Sequence, residues 1–320
     1  MMTSPTIQDV LVLGGGPAGL SASLYLGRAR KTVTVLDAGS PRHAVSKGVH
    51  NFLTRDGMSP AELRTQAWSQ MEAYPSVRRV VARVTALQRD DERWVAHTER
   101  GEAHSGRTVV LSTGVVDEHP NIPGFAERWG HAIHHCPYCH GWEMRDLPLA
   151  VLAGEEAAGH LAPLLLGWSS DVVVLTHGAE LSASTRSVLD VARIPVFESP
   201  VVRLEGEGRG LERVVLEDGT TLARRGLFVA SPQHQVPLVD GLGLELNEQG
   251  YVVVDDFGAT SVPGIWAAGD VTSRAQQVIE AAAQGAKVAV AINAALTMGD
   301  SPTRDPSRAA LHAERVDLGS

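Results

Sequence analysis

Asp9-Val10-Leu11-Val12-Leu13-Gly14-Gly15-Gly16-Pro17-Ala18-Gly19-Leu20-Ser21-Ala22 decides the fold. A short apolar run reads as a buried strand, and the run from Leu20 to Arg28 reads as a helix. Between them the glycines stand at the spacing Gly-x-Gly-x-x-Gly, and this context makes the pattern a dinucleotide fingerprint. Gly14 permits the tight turn, Gly16 lets the backbone approach a pyrophosphate, and Gly19 lets the helix pack close to the strand. Pro17 and Ala18 complete the loop, and the phosphates would lie on the helix N-terminus, where N–H groups and the dipole favour anions. A second strand, Thr32-Val33-Thr34-Val35-Leu36, ends at Asp37, placed to take the ribose hydroxyls.

The second signal is the run His134-His135-Cys136-Pro137-Tyr138-Cys139-His140-Gly141-Trp142, which holds the chain's two cysteines. Two thiols at this spacing close into a disulfide with little backbone movement and exchange through their thiolates. Cys-x-x-Cys is also a zinc spacing. Zinc would draw two more ligands from His131, His134, His135 and His140 and would leave the nucleotide loop unexplained, so no metal is expected.

A third run, Thr260-Ser261-Val262-Pro263-Gly264-Ile265-Trp266-Ala267-Ala268-Gly269-Asp270-Val271, leads towards a helix expected from Gln277 to Leu296, and Val109-Val110-Leu111-Ser112-Thr113-Gly114 lies upstream. With these three runs in order, the chain resembles the low-molecular-weight thioredoxin reductases, FAD enzymes with two nucleotide-binding folds and a redox Cys-x-x-Cys. The resemblance implies an α/β protein of two Rossmann-like domains and a homodimer. It also implies an FAD site that adds Asn51, Val84, Thr113, Gly114, Asp270, Gln277 and Val278 to the loop residues. Taken alone, Asp270 would read as a helix N-cap.

The composition is compatible. The chain of 320 residues is long enough for two cores, and its net charge of −9 signals no basic face for nucleic acid or anionic lipid. The sequence has neither an apolar run of about eighteen residues nor a charged-then-apolar leader, so no membrane partner and a cytoplasmic location are expected. Pro and Gly punctuation at Pro120–Gly124 and at Val236–Gly243 marks candidate hinges. The expected division is an FAD-binding domain in two segments, 1–117 and 245–320, around an inserted domain at 118–244. Within the insert, Leu147–Ala153 and Asp171–Thr176 read as strands around a helix at Ala158–Gly167. Strands at Leu211–Leu216 and Leu227–Ala230 are expected to complete a smaller sheet.

The chain departs from the family at two places. Where the inserted domain should carry a second phosphate loop for NADPH stands Ala153-Gly154-Glu155-Glu156-Ala157-Ala158-Gly159, with two carboxylates beside the place of a diphosphate. After the next strand, where the family presents a cluster of Arg and His to a 2′-phosphate, stands Thr176-His177-Gly178-Ala179-Glu180, with a single weak cation and another acid. The nucleotide site therefore reads as degenerate and NADPH binding as doubtful, with divergence that keeps NADPH as the alternative. The second departure is His140, where the family usually has Asp. Histidine titrates near neutral pH and can take up and return a thiol proton.

Cys-Pro-Tyr-Cys-His-Gly-Trp-Glu is similar to the dithiol oxidases of disulfide natural products such as gliotoxin and holomycin. That resemblance implies an FAD-dependent thiol oxidase that passes electrons from a small-molecule or peptide dithiol, or a thioredoxin-like protein, to O2. Cys139 would be the sulfur on the flavin side, Cys136 the sulfur that exchanges with substrate, and His140 the acid–base partner. His134 and His135 would shape the cleft. The competing expectations are a disulfide reductase driven by NADPH or ferredoxin, and a non-enzymatic flavin sensor.

Overall fold

The computed structural model describes residues 7–298, which fall into two compact units. Of the described residues, the first takes 7–42, Glu62–Val116 and 235–298; the second takes His43–Ala61 and Asp117–His234.

The first unit is built on a seven-stranded sheet in which Val77–Val80, Val33–Leu36, Gln8–Leu13 and Ala103–Leu111 lie side by side in parallel, with Ile265–Ala267 also on Ala103–Leu111. The strand Ala103–Leu111 is long enough to serve two partners along its length. Its first half pairs antiparallel with Arg93–Thr98, which continues to Val84–Asp90. Alternation along Gln8–Leu13 sends Val10 and Val12 to one face and Leu11 and Leu13 to the other. The first face is covered by the helices Pro17–Arg28 and Val278–Met298, through Ala18, Ala22, Leu26, Ala281, Val288 and Ile292. On the other face lie Trp94, Val239, Val252 and Val271.

The second unit repeats the plan with a five-stranded parallel sheet in the order Val196–Phe197, Val172–Leu175, Leu149–Leu152, Gly226–Val229, Ile133–His134. The helices Glu155–Leu165 and Ala183–Val191 meet one face through Ala158, Leu161, Leu165 and Leu189. A three-stranded antiparallel sheet, Val201–Glu205, Arg213–Leu216 and Thr221–Ala223, packs on the other through Val201, Leu204, Val214 and Leu216. The expected strands near 211–216 and 227–230 thus belong to different sheets.

The helix expected at Ala158–Gly167 starts earlier, at Glu155, because Gly154 takes the extended conformation that opens it. The return into the first unit comes at Gln235 rather than after Leu244. Val236, Leu238, Val239, Leu242 and Leu244 read as punctuated loop, yet their side chains pack on the apolar face beneath Leu11 and Leu111. His43–Ala61 clusters with the second unit, outside the expected insert, since Val45 lies against Gly130, Ser46 and Asn51 reach the cysteine helix, and His50 reaches Glu143 just beyond it. Among the described residues no helix is long and apolar enough to cross a membrane.

Candidate active site

The glycine loop of the first unit separates into two kinds of position. Gly14 has φ +109°, and a Cβ there would lie 2.2 Å from Ser112 O; a Cβ on Gly19 would lie 2.0 Å from Gly14 O. Both glycines are therefore demanded by the protein itself. At Gly16 a Cβ would meet no protein atom within 4 Å, so only a ligand at this place gives the middle glycine a purpose. Gly16 opens the helix Pro17–Arg28 with no side-chain cap, leaving first-turn donors for an anion. The Thr113 hydroxyl is buried without a hydrogen-bond partner, a group that a bound molecule would satisfy. Asp37 lies at the end of Val33–Leu36 with its carboxylate against Gly15, held by Arg64 and by the Gly39 N–H. These features fit a dinucleotide such as FAD.

The other residues expected at the flavin divide between the units. Gly114, Asp270, Gln277 and Val278 belong to the first, as does Val84, at the start of its strand. Arg42 Nη1 lies 3.5 Å from Asp270 Oδ2 and donates to Gln276 Oε1 at 2.7 Å. The following helix begins only at Val278, so Asp270 is not its N-cap. Asn51 instead belongs to the second unit, where its Nδ2 donates to Tyr138 O at 2.8 Å.

Cys136 and Cys139 form a disulfide with Cα atoms 5.3 Å apart. Pro137 opens the short helix Pro137–His140, and Cys136 is its N-cap, accepting the Cys139 N–H on Sγ at 3.1 Å. That donor would stabilise negative charge on Cys136. Cys136 is 9% exposed and Cys139 half-buried, so exposure does not single out Cys136 as the outer sulfur.

His140 closes the helix, and its ring stacks on that of His134 with centroids 4.1 Å apart. His134 Nε2 donates to His131 O at 3.1 Å, and its Nδ1 has no partner. Burial, reinforced by neighbouring His50, lowers the His140 pKa to about 4. Burial, and next the proximity of His140, hold His134 well below the ordinary histidine value. His140 is therefore not poised near neutrality as its residue type suggests: with the disulfide closed it is a neutral base. His50 stands between Glu143 at 3.5 Å and Asp56 at 3.6 Å. Sequence spacing gave no sign that Ser46 and His50 would meet this helix, or that Arg64 would hold Asp37, because these neighbours are brought in by the fold. Among the described residues no group of three or more His, Cys, Asp or Glu is placed to hold a metal ion.

In the second unit the carboxylate of Glu155 accepts the Ser182 N–H at 2.7 Å and the Thr185 hydroxyl at 2.9 Å. These bonds lower its pKa. Glu155 thus satisfies donors at the start of Ala183–Val191. His177 Nδ1 accepts the Val201 N–H at 2.9 Å, and Arg186 pairs with Glu198 at 2.6 Å. The nearby cationic candidates are already engaged within the protein.

A dinucleotide-type loop on one parallel sheet and a Cys-x-x-Cys disulfide beside a histidine on another define a flavin-dependent thiol/disulfide oxidoreductase that uses FAD. The model of the pyridine nucleotide-disulphide oxidoreductases matches residues 8–285, and the chain belongs to that family. Thioredoxin reductase sirT of Leptosphaeria maculans is 32% identical over 323 residues, 92% of this chain and 95% of the relative. Thioredoxin reductase aclD of Aspergillus oryzae is 34% identical, with 82% and 88% covered. Among solved structures, HlmI is 38% identical with a TM-score of 0.89 and 98% of each chain covered. An oxidoreductase from Agrobacterium tumefaciens is 34% identical with a TM-score of 0.85, covering 92% of this chain and 99% of its own.

Proposed function

We propose that the protein is an FAD-dependent thiol oxidase that converts substrate dithiols to disulfides with O2 as electron acceptor. The observation that carries this reading is Glu155, which stands in the degenerate second loop as the first residue of its helix, its carboxylate held at that place by the Ser182 N–H and the Thr185 hydroxyl. A nicotinamide dinucleotide would bring its phosphates beside that charge. In this reading Gly14, Gly16, Pro17, Ala18, Gly19, Asp37, Thr113, Gly114 and Asp270 hold the cofactor, and the second unit carries the redox pair.

A substrate thiolate attacks Cys136 Sγ, breaking the Cys136–Cys139 bond, forming a mixed disulfide and releasing Cys139 as a thiolate. The thiol proton passes to neutral His140. The second substrate sulfur then attacks the first, closes the product disulfide and expels Cys136, whose charge meets the Cys139 N–H at 3.1 Å; the second proton leaves to solvent. The substrate has lost two electrons and the cysteine pair has gained them. Bound FAD supplies the two-electron acceptor that returns the pair to a disulfide, with dioxygen reduced to hydrogen peroxide as the last step.

The test is anaerobic mixing of the yellow holoprotein with NADPH and, separately, with a small dithiol. The dithiol is expected to bleach the flavin band and millimolar NADPH to act far more slowly, with one hydrogen peroxide formed per disulfide on admitting air. Fast stoichiometric bleaching by NADPH would restore the reductase reading.

A further inference from the structure

We infer that Ser46 is a positioning residue for His140: its hydroxyl fixes the imidazole as the Nε2–H tautomer, so that Nδ1 is the atom that takes the substrate proton. The inference rests on the acid–base role proposed above for His140.

Ser46 has one hydroxyl proton and two lone pairs. Its Oγ lies 2.8 Å from Gly48 O, which can only accept, so the proton points there. The same Oγ lies 3.0 Å from His140 Nε2 and must therefore accept from an Nε2–H. His140 Nδ1 is left with its lone pair, buried and without a hydrogen-bond partner. In the opposite tautomer Ser46 would have to turn its proton to the ring. Gly48 O would lose that donor, and a buried N–H would stand unpaired at Nδ1, leaving two groups unsatisfied rather than one. The chain from imidazole N–H to hydroxyl to backbone carbonyl also disperses the positive charge that His140 acquires on protonation. Ser46 is half-buried in the segment His43–Ala61, which also places Asn51 on Tyr138 O and His50 near Glu143. The whole segment thus serves as a bracket for the cysteine helix.

The experiment uses full-length oxidised holoprotein with 15N-labelled histidine and compares wild type with Ser46→Thr, Ser46→Val and Ser46→Ala. Thr and Val have nearly the same shape and differ in the hydroxyl, and Ala removes bulk altogether. The His140 ring nitrogens, assigned by their loss in His140→Asn, are expected to report Nε2–H in wild type and Ser46→Thr. A shift towards Nδ1–H is expected in Ser46→Val and Ser46→Ala. In parallel, kcat/KM for dithiol oxidation should stay within about threefold in Ser46→Thr and fall about ten- to a hundredfold in the other two, inside the range a general acid–base residue supplies. An Nδ1–H tautomer in wild type, or the same tautomer and rate in all four proteins, would overturn the inference. If the tautomers follow expectation while His140→Asn turns over like wild type, the acid–base reading of His140 fails, and with it the functional part of the inference. The contact with Ser46 would still stand.

Discussion

Gly16 and Gly19 make opposite demands within one loop. A Cβ at Gly16 meets nothing, and its φ of −79° and ψ of −178° suit any residue, so Gly16→Val should fold as an apoprotein but fail to retain FAD. Gly19→Ala drives its Cβ into Gly14 O and should lower the stability of the apoprotein itself by several kcal/mol, as overpacking against backbone does. Flavin absorbance and thermal unfolding of the two apoproteins separate the cases. Equal unfolding midpoints would remove the argument. The two sulfurs should also differ. Offered the substrate in its disulfide form, Cys139→Ser should open it with the Cys136 thiolate, keeping one substrate sulfur in a mixed disulfide detectable as added mass and releasing the other as a thiol, whereas Cys136→Ser should trap none; reversal would invert their roles. His140→Ala should keep its flavin and lose roughly two to four powers of ten in turnover.

At the scale of elements, the strand Ile133–His134 and the helix Pro137–His140 bury two neutral imidazoles face to face. Their folded pKa values lie below the unfolded value of about 6.5, His140 at about 4 and His134 also depressed, both first through burial. Below about pH 6.5 the unfolded chain therefore binds protons that the folded chain refuses. Stability should be full above that pH and fall as it drops towards 4, by about 1.4 kcal/mol per pH unit for each proton. His131 and His135 act on His134 and His50 acts on His140, with Glu143 3.5 Å from His50, so the check is urea unfolding of wild type against His134→Phe across that window. A slope that is flat, or unchanged in the variant, would contradict the linkage. The same short stretch shows what local sequence can convey. Cys-Pro-Tyr-Cys-His announces a redox pair with a proton-transfer neighbour, while the stacking and burial that move His140 far from neutrality arise from the partners.

On the scale of the whole molecule, the two parallel sheets were legible because each announces itself within a few dozen residues, as in Asp9–Gly19 and Leu149–Gly154. What was illegible depends on distant contacts. The run Val236–Leu244 looks like a hinge because of Pro237, Gly241 and Gly243, yet its apolar side chains cover the first sheet. Ser46 reaches His140 across 94 positions, and Arg42 reaches Gln276 across 234. The Glu155-Glu156 pair was readable as a conflict with phosphate, but not the use of Glu155 at the start of another helix.

The contact between the fingerprint helix and the late helix Val278–Met298 bears on how the protein is made. A Cβ on Gly285 would lie 2.1 Å from Ala18 O, and Val288, Ala289 and Ile292 share a core with Ala22 and Leu26. The nucleotide loop leaves the ribosome well before the wall behind it. At about 5–20 residues per second the interval is on the order of tens of seconds. Through that time the emerging loop has its full motif but no supporting helix, so flavin loading waits for that helix, and a nascent chain halted before Val278 should emerge colourless.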